Sequence, residues 1–212
     1  MQTPSDAAPA RSKPSGRNDA PGRAKREQRK ITGRHGVKKS EGGTKVIDRV
    51  GYKTYRVFLD QLVEELRGAL GEGGLLACCL FGSVAREEAR PDSDVDLLVV
   101  HGEGCTDPLG TFLGVLKVVE SSEVCQKLVA AGYRPDPYPV FLSERDLWER
   151  PLILLDPFDH GIVLWDTGVL ARRFAALRKR LEELGAKKVY LPEGGWYWDL
   201  KPDWRPGEVI TL

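Results

Sequence analysis

Beyond residue 45 the apolar residues follow two periods, and these predict the elements. From Lys53 to Leu70, Tyr55, Phe58, Leu62, Leu66 and Ala69 recur every three or four positions with charges opposite. This is an amphipathic helix that Gly71 is placed to stop. "GLLACCLFGS" predicts a short buried strand ending at Gly82, and "DSDVDLLVV" (92–100) a second, followed by a Gly-rich loop. Residues 111–131 predict one helix capped by Gly132. "DPYPVFL" (136–142) predicts a strand whose two prolines suit an edge. Ser143 is a plausible N-cap for a short helix in "SERDLWER", and "GIVLW" (161–165) is another apolar strand. Leu170, Phe174, Leu177, Leu181 and Leu184 give a further helix, capped by Asp166 or Thr167 and ended by Gly185. Residues 187–200 then predict a hairpin around Glu193-Gly194-Gly195. Strands interleaved with helices make a small α/β or α+β domain, with residues 167–212 as a C-terminal helix and hairpin packed on it.

Residues 1–45 lack this patterning. They hold twelve Lys or Arg against four acids, while residues 46–212 hold 20 basic and 27 acidic residues, so a net charge of +1 conceals a basic arm on an acidic body. A segment with so few large aliphatics cannot bury enough surface to offset its ordering entropy and is expected to be disordered. Its function is either nucleic-acid binding through counterion release or none, as a solvated tail. No run approaches the ~18 apolar residues of a membrane span. Four cysteines without CxxC spacing argue against a disulfide framework or zinc site and for small buried thiols in a reducing cytoplasm. Many charges with one Met and one Asn give a thermophile-like composition.

The chemistry concentrates in "FGSVAREEARPDSDVDLLVV" (81–100). Asp92-x-Asp94-x-Asp96 superficially matches half a calcium loop, but Leu97 stands where that loop requires glycine, and a strand follows. On an extended chain Asp94 and Asp96 share one face, about 6.5–7 Å apart, with Val95 and Leu97 on the other. Two carboxylates so placed call for a cation. Paired carboxylates with substrate phosphates are a usual Mg2+ environment, suited to in-line phosphoryl transfer. Carboxylates that merely cap a turn are the bland alternative. Gly82-Ser83 supplies backbone N–H groups and a hydroxyl for phosphate, and Arg86 or Arg90 can reach a triphosphate.

That stretch resembles the signature of the DNA polymerase beta-type nucleotidyltransferase superfamily, hGSxARGxxxxxSDxDLhV with h apolar, and especially its minimal archaeal and bacterial members. "YPVFLSERDLWERP" and "DHGIVLWD" extend the likeness through most of 53–166. The resemblance implies a nucleotidyltransferase domain over 46–166, with a small mixed, mainly antiparallel sheet and helices on one side. It implies transfer of a nucleoside monophosphate from an NTP, ATP foremost, to a hydroxyl acceptor with Mg2+ or Mn2+. Gly82 and Ser83 would bind the triphosphate, and Asp94 and Asp96 would hold the metals. Glu87 replaces a usual glycine. The family's third carboxylate, its general base, has its slot near Tyr138, where this chain has no acid. Asp136, one pleat earlier with the same parity, is the substitute, ahead of Glu144 and Asp156. Two other functions compete: an antitoxin-like member that adenylylates or masks a HEPN-type toxin partner, and a non-catalytic nucleic-acid binder using residues 1–45. His101 is expected to be a solvent-facing loop residue, His160 a surface turn residue, and the aromatics Trp196, Tyr197, Trp198 and Trp204 hairpin core rather than part of the site.

Overall fold

The computed structural model describes residues 49–212; the basic arm, with its disorder and nucleic-acid readings, lies outside the described residues. Helix α1 (Tyr52–Leu70) leads into β1 (Leu75–Leu80), the one-turn α2 (Gly82–Ala85) and β2 (Asp94–His101). Then follow α3 (Pro108–Glu120), α4 (Glu123–Ala130), β3 (Asp136–Ser143) and α5 (Glu144–Glu149). A 3-10 turn (Pro151–Leu154), α6 (Leu155–His160), β4 (Ile162–Asp166) and α7 (Val169–Leu184) complete the body, and a hairpin of β5 (Lys187–Tyr190) and β6 (Trp196–Asp199) follows. The four main strands run in the order β3-β2-β1-β4. β1 is antiparallel to both neighbours, and β2 and β3 are parallel. This is the mixed, mainly antiparallel sheet expected, with the proline-bearing strand at its edge.

The expected cover of helices on one side extends to both faces. Cys78, Leu80, Leu97 and Val99 pack with Phe58, Leu62 and Leu66 of α1 and Phe112 of α3. Ala77, Cys79, Leu98 and Val100 pack on the other face with Leu147, Leu154, Leu170 and Leu177. The reason is visible in the strands: β1 and most of β2 are apolar at every position, so neither face can be left to water. Adjacent Cys78 and Cys79 thus enter opposite cores, and all four thiols are free.

One predicted helix is two. The segment 111–131 breaks at Ser121-Ser122, where Ser122 Oγ accepts the Cys125 N–H and opens α4. Serine side chains compete for backbone partners, which favours caps over helix interiors. The α3–α4 pair is the crossover that lets β2 and β3 run parallel. The other caps are as expected: Ser143 and Asp146 form a capping box on α5, and Asp166 accepts from the N–H groups of Gly168, Leu170 and Ala171. No helix among the described residues is long and apolar enough to cross a membrane.

Candidate active site

The chemistry-bearing residues gather at one end of the sheet, where β1 stops and β2 and β3 begin. Two links place them there. Phe81 N–H donates to Asp96 O, tying the loop after β1 to the first turn of β2. The Arg90–Ser93 turn closes with Ser93 N–H on Arg90 O and Arg90 N–H on Ser93 Oγ, and Arg134 N–H donates to Pro91 O. This last bond fixes how far β3 slides along β2. The resulting parallel register sets Asp94 beside Asp136 and Asp96 beside Tyr138. Register partners in a sheet share a face, so these four side chains form a two-by-two patch, continued by Leu98, Val100, Val140 and Leu142 into the core. Strand parity anticipated Asp136, and the register places it one strand spacing, roughly 4.8 Å, from Asp94.

Gly82 carries φ +71°, and a Cβ built on it would stand 1.9 Å from Asp96 Oδ2. The Asp96 carboxylate therefore rests directly on the glycine backbone at the mouth of the loop. Asp96 is half-buried and Asp94 exposed. Burial, then the charges of Asp94 and Asp156, push the Asp96 carboxyl above its usual range, with Arg86 pulling the other way.

Asp156 has a different place from that of a stand-in general base. One Arg86 guanidinium nitrogen donates to both of its oxygens, at 2.8 and 3.0 Å, and Arg86 Nε donates to Glu88 at 3.1 Å. Burial opposes the Arg86 charge, but these carboxylates outweigh it and hold the guanidinium protonated. Arg86 thus ties the end of α2 to α6, and the loop bearing Arg90 leaves that side chain exposed. The same acid contributes, after burial itself and ahead of Asp166, to pushing the Cys79 thiol up to about 12, so that thiol stays protonated. Glu144 is excluded from the site: it begins α5 at the opposite end of β3, eight residues from Asp136. His101, at the far end of β2, is excluded in the same way. His160 is not a surface turn residue but ends α6, with Nε2 2.7 Å from Lys188 Nζ. Trp198 packs into the core as hairpin structure.

Among the described residues the acids outnumber the cation at this end of the sheet: Arg86 is paired with Asp156 and Glu88, and Asp94, Asp96 and Asp136 meet no ion-pair partner. Their all-oxygen donor set fits a hard divalent cation such as Mg2+ or Mn2+. Among the described residues no group of three or more metal-ligating side chains is positioned to hold an ion alone, so the fit is for a cation completed by substrate phosphates. An apolar groove of about 720 Å3, lined by Trp148, Leu152, Ile153 and Leu212, lies apart from the acids and has the wrong chemistry for a triphosphate.

Glu87 stands where the signature has glycine, and it keeps the backbone that glycine would adopt, with φ +59°. The left-handed region costs a non-glycine residue about 1–2 kcal/mol. Glu87→Gly is therefore expected to stabilise by about 1 kcal/mol, a Tm rise of about 2–4 °C at this size. Scanning calorimetry checks it. An unchanged Tm would mean that Glu87 packing over Gly51, where an added Cβ would lie 2.8 Å from Glu87 Cγ, offsets the strain.

A small mixed α/β sheet thus carries a Gly-Ser loop and paired strand aspartates at one end. Residues 59–155 match the family described as "Nucleotidyltransferase domain". No curated protein sequence matches the chain. Among solved structures, a toxin-antitoxin with AMP-PNP is 19% identical, with a TM-score of 0.35, covering 59% of this chain and 88% of its own. A mutant of the toxin-antitoxin MntA-HpeT is 17% identical, with a TM-score of 0.34 and the same coverages.

Proposed function

We propose that the protein transfers a nucleoside monophosphate from an NTP, ATP foremost, to a hydroxyl acceptor with Mg2+ or Mn2+. The carrying observation is the seat of the Asp96 carboxylate on the Gly82 backbone, with Asp94 beside it and Asp136 in register on the next strand. In this reading the loop at Gly82 and Ser83 holds the triphosphate, because only a residue without Cβ leaves room for both the carboxylate and a phosphate. Arg90, exposed on the turn, faces its outer oxygens. Asp94 and Asp96 hold the divalent cation, which neutralises charge on the phosphates when bound. Asp136 takes the proton from the acceptor hydroxyl. Arg86 acts by holding α2 against α6 through Asp156, which steadies the loop, and is a positioning residue.

The test is incubation of the purified chain with each α-labelled NTP, Mg2+ or Mn2+, and small-molecule, RNA and protein acceptors. Metal-dependent pyrophosphate release with label on an acceptor is expected. Its absence for all four nucleotides with both metals overturns the reading. A positioned general base contributes about 10²–10⁴-fold, so Asp136→Asn is expected to slow transfer by that order, and equal rates would remove Asp136 from its role.

A further inference from the structure

The slot on β3 where the resemblance implies a third carboxylate holds Tyr138 in this chain. Its Cα is the register partner of Asp96, and Asp136 lies two residues before it on the same face. Tyr138 is 63% exposed on the edge strand. Among the described residues its hydroxyl meets no hydrogen-bond partner and its ring no aromatic one. A large aromatic side chain left open to water beside three carboxylates does not contribute to the core. Its chemistry is that of a phenol, a hydroxyl nucleophile, standing over the patch where the nucleotide is proposed to bind.

We propose that Tyr138 is itself a nucleotidyl acceptor, so that the protein modifies its own edge strand. This rests on the transferase reading and names one acceptor for it. The strands are about 4.7–4.9 Å apart. Tyr138 therefore rises next to Asp96, and its ring carries the hydroxyl past the height of the neighbouring carboxylates, on the side where phosphates lie if Asp94 and Asp96 meet them through a cation. In the step, Tyr138 Oη attacks the α-phosphorus and the Oη–P bond forms. The bond from that phosphorus to the oxygen bridging to the β-phosphate breaks, and pyrophosphate leaves with the electron pair. The phenolic proton passes through one water to the Asp136 carboxylate, its neighbour along the strand, and from there to bulk solvent. The product is a tyrosyl phosphodiester. Because acceptor and site belong to one rigid strand pair, the reaction needs no added acceptor and gains the high effective concentration of an intramolecular step. It also stops itself, since the modified tyrosine occupies the patch.

The experiment incubates the full chain with each α-labelled NTP and Mg2+ or Mn2+ in the absence of any other acceptor, then follows acid-stable label on the protein and its mass. The expected result is a plateau at one nucleoside monophosphate per chain, mapped to Tyr138, and complete loss of label in Tyr138→Phe. Titration with a non-hydrolysable triphosphate, read by calorimetry, is expected to show both proteins binding, so that lost label reports the hydroxyl and not an unfolded site. Label that persists in Tyr138→Phe, or that maps elsewhere, overturns the inference. In a parallel incubation with added acceptors, transfer of label to an acceptor but not to the protein overturns the inference and leaves the transferase reading standing. Absence of label on protein and acceptors alike overturns both.

Discussion

Replacing Asp94 and Asp96 together by asparagine is expected to abolish nucleotidyl transfer while making the cation-free protein more stable. The two effects share one cause. Asparagine keeps the shape of each side chain but removes the charge that fits a divalent cation, and such a cation supplies several kcal/mol of transition-state stabilisation. At about 1.36 kcal/mol per tenfold, the loss is at least about a thousandfold in kcat/KM, measured as labelled product against wild type. Equal rates would remove the pair from the chemistry. On the stability side, burial and the neighbouring charges of Asp94 and Asp156 raise the Asp96 carboxyl above its unfolded value. The folded state then binds more protons than the unfolded chain between those two values. The contribution of Asp96 to wild-type stability in EDTA is fully present below about pH 4, the unfolded carboxylate range, and is lost as pH rises through the raised value. The double variant escapes that fall. Its Tm at neutral pH is expected to exceed that of wild type, with the gap closing on acidification. A site that lowers the stability of its own fold is the usual mark of function rather than of packing, and a lower Tm for the variant would assign the two acids a structural role as turn caps.

How much of the site is legible in the sequence depends on sequence distance. Gly82, Ser83, Asp94 and Asp96 fall within fifteen residues, and their relation needs only strand parity and a turn, so the spacing of residue types carries it. Parity also brought Asp136 to the correct face. It could not supply the register with Asp94, which is set by Arg134 N–H meeting Pro91 O across some forty residues. Asp156 was further out of reach. It lies seventy residues from Arg86, on a helix whose Pro157 and trailing Gly161 read as a loop. The cover on both faces was legible in principle, since an unbroken apolar run such as "LLACCL" has no polar side to offer water. The split of α3 from α4 was legible too, in adjacent serines inside a valine-rich helix. Only the register of Asp136 and the pairing of Asp156 needed tertiary context that no local pattern carries.

Gly82→Ala is expected to cost both stability and nucleotidyl transfer through a single methyl group, and a second glycine separates its two effects. Gly82 and Gly73 both have φ +71°, so alanine at either position bears the same left-handed strain, about 1–2 kcal/mol. They differ in what the new Cβ meets. At Gly73 nothing lies within 4 Å, whereas at Gly82 the Cβ falls 1.9 Å from Asp96 Oδ2 and 2.8 Å from Asp96 Cγ. The Asp96 carboxylate must then rotate off the loop, away from its place beside Asp94 and over the backbone proposed to bind phosphate. Displacement of a reacting group by about 1 Å costs on the order of 10²-fold, and this clash demands at least that. Gly73→Ala is expected to lower Tm by about 2–8 °C, the strain taken at about 2–4 °C per kcal/mol, and to leave nucleotidyl transfer unchanged. Gly82→Ala is expected to lower Tm by a similar amount and transfer by about a hundredfold or more. Thermal melts and initial rates on the pair decide the matter. If both variants lose stability equally and keep equal activity, Gly82 serves only the turn, and the seat it offers Asp96 has no part in the chemistry.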